Sequence, residues 1–200
     1  MLDYIRANIQ ESIMVKEALL RDELLMKTIE QVTQVCIDAY QRGNKLLICG
    51  NGGSASDALH MVGELVGRYQ MERRGIAAIA LNANPTVMTA ISNDYEFENV
   101  FSKQVIALGK EGDVLFGIST SGNSANVVSA LQEAKEQNIY TIGMTGSTGG
   151  KIKLLADYLL NVPSENTPRI QEMHILLIHT LCGLIEKGLQ KQGFWVEDFE

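Results

Sequence analysis

The stretch from Lys45 to Tyr69, KLLICGNGGSASDALHMVGELVGRY, limits what this chain can fold into more than any other. Leu46, Leu47, Ile48 and Cys49 form a continuous apolar run, the pattern of a strand buried on both faces of a parallel sheet. The run ends in Gly50-Asn51-Gly52-Gly53-Ser54, where glycines let the backbone turn sharply and let a ligand approach its N–H groups. Ser54 reads as an N-cap with Asp57 in the first turn, and a helix is predicted from about Ala55 to Val66. The start of such a helix carries unpaired N–H donors and a partial positive charge, so it favours an anion such as phosphate. Further in, His60 and Glu64 stand i, i+4 and share a face. A glycine-rich loop alone is often only a turn, and a His/Glu pair alone is commonly surface decoration. Their succession directly after an apolar strand points to an anion site with a titratable pair beside it. The loop lacks the Gly-Lys-Ser/Thr ending of a Walker A motif and the third glycine of G-x-G-x-x-G.

The rest of the chain repeats this grammar. Ile5, Ile9, Ile13 and Val15 predict a first amphipathic helix. Glu23–Gln41 is a second, with Leu24, Leu25, Ile29, Val32, Val35, Cys36 and Ala39 turned inward. A helix placed ahead of the core has little to pack on in a compact monomer, so it is expected to meet a partner subunit. Further strands are expected at Ile76–Leu81, Asp113–Ile118, Tyr140–Met144 and, after a short helical end near Leu155, up to Val162. Helices at Thr86–Ile91, Phe97–Leu108 and Ala125–Gln137 lie between them, and one at Arg169–Leu189 follows the last. Alternation of this kind gives an α/β fold with a parallel, doubly wound sheet, whose ligands bind at the carboxyl ends of the strands. Arg68–Gly75 reads as a solvated loop, with Arg68 the basic residue nearest the His60/Glu64 helix. Asp94 reads as a helix cap, the other option being a carboxylate facing the cavity.

The third strand runs into Ser119-Thr120-Ser121-Gly122-Asn123-Ser124. Four hydroxyls within six residues at a strand-to-helix junction supply neutral donors for phosphate oxygens beside backbone N–H groups. An ordinary capped loop accounts for one or two of them. No acidic ribose-binding residue follows at the spacing a dinucleotide site needs, so a phosphorylated small molecule fits better. In the last helix His174 lies in an apolar stretch and reads as a packed histidine, whereas His179 is ambiguous. Gln171 and His179 are eight residues apart, a rise of about 12 Å. They meet at one atom only through long inward-leaning side chains, a local distortion, or donation from different subunits.

With 200 residues and 46% hydrophobic content the chain supports one buried core. With a net charge of −7 nothing suggests a basic nucleic-acid surface, and a phosphate is left to be held by local donors. Cys36, Cys49 and Cys182 form no C-x-x-C and read as buried thiols in a reducing compartment. Asp3 and Glu11 interrupt the N-terminus where a signal peptide would be apolar, and no run is long enough to span a membrane. A cytoplasmic protein is expected.

Four stretches, CGNGGSASDALHMVGELVGRY, SNDYEF, GISTSGNSANV and TPRIQEMHILLIHTLC, together resemble the phosphoheptose (sedoheptulose 7-phosphate) isomerases of the sugar isomerase, or SIS, domain group. The resemblance runs from the N-terminal helices to about Gly188. ISTSGNS alone indicates only an SIS domain; His60 and Glu64 together with RIQEMH and His179 are far more specific. It implies a single SIS domain over residues 1–200: helices 1–43 for oligomer packing, a core at 44–190, and a tail at 191–200 that stays unassigned. The fold implied is a flavodoxin-like, three-layer sandwich with a five-stranded parallel sheet, assembled as a homotetramer with active sites at subunit interfaces. The activity implied is conversion of D-sedoheptulose 7-phosphate to D-glycero-D-manno-heptose 7-phosphate, the first step towards the activated heptose of lipopolysaccharide, capsule or surface-layer glycans. Carried over by resemblance, Asn51, Gly52, Gly53, Ser54, Ser119, Thr120, Ser121 and Ser124 hold the phosphosugar. Glu64, Asn93, Asp94 and Gln171 also contact it, and His60, Glu64, Gln171 and His179 bind one zinc per subunit. Pro168 stands where some members carry Asp.

The residue chemistry agrees with such a reaction. An aldose–ketose isomerase moves a proton between C1 and C2 through an enediolate, with a carboxylate as the usual base and a histidine as partner acid. Glu64 fits the base and His179 the acid. Few lysines or arginines surround the predicted site, so a metal polarising the sugar oxygens would help. Two other readings use the same fold without catalysis. One is a tetrameric regulator that binds the replication initiator protein, a branch lacking the equivalents of Glu64 and His179. The other is a sugar-phosphate-sensing module, which needs the Ser/Thr loop but not the His/Glu set.

Overall fold

Consecutive strand residues point to opposite faces of a sheet, and in the computed structural model of the protein this alternation sorts the core. The structure describes residues 1–195; residues 196–200 of the unassigned tail lie outside the described residues. Two helices, α1 (Leu2–Leu20) and α2 (Glu23–Gln41), precede β1 (Leu46–Gly50) and α3 (Gly53–Val66). The chain continues through β2 (Ala78–Ala80), α4 (Pro85–Asp94), α5 (Ser102–Leu108), β3 (Val114–Ile118), α6 (Ala125–Glu136), β4 (Tyr140–Thr145), β5 (Tyr158–Asn161) and α7 (Thr167–Lys191). The five strands lie in the order β2-β1-β3-β4-β5, and every pairing is parallel. Leu46, Ile48, Val114, Phe116 and Ile118 face α2, α3 and α7, while Leu47, Cys49 and Leu115 face α5 and α6. The central strands β1 and β3 are buried along their whole length, which is why their sequences are apolar without alternation.

The strand order reverses between β1 and β3. Their carboxyl ends therefore open a crevice between two connections that depart to opposite faces, the place where such sheets bind ligands. At the other end, the buried Asp113 carboxylate fixes the register by accepting the Lys45 backbone N–H at 3.0 Å, the Asn44 amide at 3.1 Å and the Lys110 backbone N–H at 2.9 Å.

Several expectations are corrected. Helix α3 begins at Gly53, with Gly52 as its N-cap at φ +54°, so Ser54 is a buried first-turn residue and not the cap. The left-handed conformation open to glycine lets the chain enter the helix earlier than a serine cap would. The predicted helix Phe97–Leu108 is a 3₁₀ turn at Phe97–Asn99 followed by α5. The strand expected at Ile76–Leu81 is only Ala78–Ala80. Leu24, expected inward, is exposed, because α2 starts with Asp22 accepting the Leu25 N–H and turns Leu25 to the core instead. Asp94 does not cap a helix start; it ends α4, where its carboxylate accepts a hydrogen bond from the Asn93 amide at 2.9 Å. Pro168 sits in the first turn of α7, where a missing N–H costs nothing. In α1, Val15 and Leu19 are buried but Ile5, Ile9 and Ile13 are exposed.

Candidate active site

Two strand-to-helix junctions build the crevice. After β1 the chain turns through Asn51 and Gly52 into α3, with Ser54 N–H donating to Asn51 O and Ala55 N–H to Gly52 O, both at 3.0 Å. The turn is so tight that a side chain at Gly50 would run into the backbone of Ser54. After β3 the buried Ser119 hydroxyl lies 2.8 Å from Ser124 Oγ and 3.4 Å from Ser121 Oγ. Gly122, at φ +66°, packs its bare Cα against Gly149 of the loop after β4. The two junctions are tied by a reciprocal amide pair. Asn51 Nδ2 donates to Asn126 Oδ1 at 2.8 Å, and Asn126 Nδ2 donates back to Asn51 Oδ1 at 2.9 Å. Asn126, buried in the first turn of α6, was not singled out from the sequence. Its only signal there is an asparagine where a helix of this kind usually packs an apolar residue.

Helices α3 and α7 both start at the carboxyl edge and lie side by side in the same direction. Near their starts, the Gln171 side chain rests on Gly53 so closely that a Cβ there would overlap its amide. Two turns on, His60 Nε2 lies 3.0 Å from Glu64 Oε1 and 3.0 Å from His179 Nε2. Ligand atoms of His60, Glu64 and His179 all fall within 4.8 Å of one another. Two imidazole nitrogens and a carboxylate oxygen turned towards one point form a set that zinc accepts, so this part of the expected ligand set fits a metal. The Gln171 amide lies at Gly53, seven residues and a helix rise of about 10 Å before His60. Asn93 and Asp94 are exposed at the end of α4, and Thr120 is half-buried beside Ser119.

The surrounding electrostatics are local. Burial raises the Asp57 carboxyl to about 6, and nearby His60 offsets this in part. His174 is fully buried on α7, as its apolar surroundings suggested. The three cysteines are free and buried, and burial pushes the Cys182 thiol up to about 12. Arg68 forms only an exposed 3.5 Å pair with Glu72. Arg73, expected in a solvated loop, is instead buried against Glu186 at 2.7 Å. A cleft of about 1000 Å³ lined by Arg42, Asn44, Asn138 and Asp157 opens at the amino ends of the strands, away from this chemistry.

Comparison with known proteins agrees with this architecture. A sequence model of the SIS domain matches residues 13–146. The phosphoheptose isomerase of Aneurinibacillus thermoaerophilus is 51% identical over 97% of this chain and 98% of its own length. The chain belongs to the phosphoheptose isomerase family of SIS-domain proteins. Phosphoheptose isomerase 2 of Campylobacter jejuni is 49% identical over 96% of this chain and 95% of its own. The phosphoheptose isomerase structure from Neisseria gonorrhoeae superposes with a TM-score of 0.88 at 45% identity, covering 93% of this chain and 98% of that one. Among the described residues, no helix of this family member is long and apolar enough to cross a membrane.

Proposed function

We propose that this protein is an aldose–ketose isomerase acting on D-sedoheptulose 7-phosphate to give D-glycero-D-manno-heptose 7-phosphate, the first step of activated-heptose synthesis. The observation that carries the reading is the convergence of His60, Glu64 and His179 beside two phosphate-compatible junctions, in a chain of the phosphoheptose isomerase family. Incubating the purified protein with sedoheptulose 7-phosphate should yield the aldose, and no aldose at high enzyme concentration would refute it. A replication-initiator or sensing role needs neither Glu64 nor His179, and no feature of the site favours one.

The phosphate sits at the Ser119–Ser124 loop, with Asn51, Gly52 and Gly53 closing from the β1 side. Held there, the open-chain sugar reaches along α3 towards Glu64. Glu64 takes the C1 proton of the ketose, and the C–H electrons form the C1=C2 bond while O2 gains charge as the enediolate. His179 moves the proton between O1 and O2. Return of a proton to C2 and collapse of the double bond leave the carbonyl at C1. His60, Glu64 and His179 would hold zinc, and Gln171, whose amide rests at Gly53 in its own chain, would complete the set from a second copy. Bound zinc supplies Lewis acidity that favours charge on the sugar oxygens. Asn93 and Asp94 contact the sugar from the end of α4. The enzyme works in the cytoplasm, where its free cysteines stay reduced.

Two results should follow. Replacing Ser119, Ser121 and Ser124 together with Ala removes hydroxyl donors to a charged group and should raise KM by about tenfold or more while leaving the fold intact. An unchanged KM would move the phosphate elsewhere. The protein should also be an obligate oligomer, a homotetramer with sites between subunits, because Ile5, Ile9 and Ile13 on α1 leave an apolar stripe uncovered in one chain. Sedimentation of an active monomer at low concentration would overturn this.

A further inference from the structure

The segment between α3 and β2 crosses α7 one to two turns past His179, at Gly183 and Glu186, and the contacts there do more than close a loop. Glu186 follows His179 by seven residues, two turns along α7. Its buried carboxylate accepts the backbone N–H of Tyr69 at 3.2 Å, that of Gln70 at 2.8 Å, and Arg73 Nε at 2.7 Å. Gly183 lies between, and its bare Cα leaves room for the segment: a Cβ there would stand 3.3 Å from the Tyr69 ring. Held this way, the Tyr69 ring stacks on the His179 imidazole at 5.8 Å between centroids and 11° between planes.

The other half of the pair reaches α3. Arg73 Nη2 donates to the carbonyl of Glu64 at 2.8 Å, and Nη1 donates to the carbonyls of Leu65 at 3.0 Å and Gly67 at 3.2 Å. These are carbonyls that a helix end leaves without intrahelical donors, and a cation there also meets the favourable end of the helix dipole. The Trp195 indole covers the guanidinium at 5.5 Å, which gives the start of the C-terminal tail a contact of its own. The charges are 2% and 1% exposed, and each makes several hydrogen bonds. One ion pair thus touches the backbone of Glu64 on one side and, through Tyr69, the ring of His179 on the other.

We propose that Arg73 and Glu186 are positioning residues, which set the Glu64 carboxylate and the His179 imidazole against each other through the helix end and the Tyr69 ring. The proposal rests on the catalytic reading of Glu64 and His179. A displacement of about 1 Å in a reacting group can cost on the order of 10²-fold in rate, and the phosphate is anchored elsewhere. Tyr69→Ala and Glu186→Gln should therefore each lower kcat by about ten- to a hundredfold, with KM within about twofold. Tyr69→Phe, which keeps the ring, should restore most of what Tyr69→Ala loses. If Glu186 acts through Tyr69, the double variant should be no slower than the worse single variant, since residues in one contact chain are not additive.

A second readout does not depend on turnover. The chain has three histidines, so ¹³C-labelled imidazoles give an assignable spectrum in the metal-free protein. Both variants should shift the His179 signal and leave the core His174 signal in place. An unmoved His179 signal with unchanged kcat, or losses that multiply in the double variant, would overturn the proposal and leave the pair a purely structural one. Should Glu186→Gln fail to fold, the half-buried, loop-borne Tyr69→Ala still decides. If Glu64→Gln keeps full activity, the catalytic reading fails, while the His179 signal still reports whether the pair orders the ring.

Discussion

Glu64→Gln should lower kcat on the order of 10²–10⁴-fold, the usual cost of losing a general base. The substitution keeps size and hydrogen bonding and removes only the basic carboxylate. Glu64 lies on α3 less than three turns beyond Ser54, on the helix whose start closes the proposed phosphate site. Its Oε1 faces His60 Nε2 at 3.0 Å, and His179 closes the other side of His60. Because Glu64 also belongs to the proposed zinc set, loss of metal could add to loss of base. Metal analysis of the variant separates the two: a variant that keeps zinc and loses turnover has lost the base. Solvent deuterium gives the direct test. Wild type should place deuterium in the sugar carbon skeleton, and the variant should not. Equal incorporation and equal turnover would remove Glu64 from the role.

The parts of the fold legible in the sequence are those whose cause is local. An apolar run ending in glycines gives a buried strand and a sharp turn, so β1 and the start of α3 follow to within two residues. At the cap Ser54 has the right chemistry, whereas Gly52 has the right backbone freedom, and φ decides. Likewise the i, i+4 spacing of His60 and Glu64 already puts both on one face before any tertiary contact exists.

What joins across the chain was not legible. His179 meets His60 across 119 residues of sequence, and nothing local on α7 shows which helix its ring will face. The basic run at Arg73-Arg74 has the composition of a solvated loop; only the arrival of Glu186, 113 residues later, makes burial of Arg73 tolerable. Arg68 is nearer in sequence to the His60/Glu64 helix, yet the pairing of Glu186 with the segment's backbone directs Arg73 inward instead. Gln171 shows the same limit. Its spacing from His179 forbade an easy meeting in one helix, and the structure places its amide at Gly53.

Acid should weaken the fold through His174 in a window that the residue's burial defines. The ring has no exposed surface; its Nε2–H donates to the Thr145 carbonyl at 3.2 Å, and among the described residues Nδ1 has no partner. Burial lowers its pKa from 6.5 to about 4, with the Thr145 hydrogen bond opposing the shift. Between these two values the unfolded chain binds a proton that the folded chain refuses. Stability from this group is therefore complete above pH 6.5 and is lost as pH falls towards 4. A shift of this size corresponds to about 3 kcal/mol. Asp57 acts in the opposite sense, because its raised pKa of about 6 makes the folded chain the better proton binder between 3.8 and 6. The two are separated by comparison with His174→Gln, which can still donate to Thr145 O, keeps Asp57, and removes the titration. Chelator-treated wild type should lose denaturation free energy from pH 6.5 to pH 4 more steeply than the variant, by up to about 3 kcal/mol. Parallel pH profiles for the two proteins would show that His174 is not the group excluded from protonation.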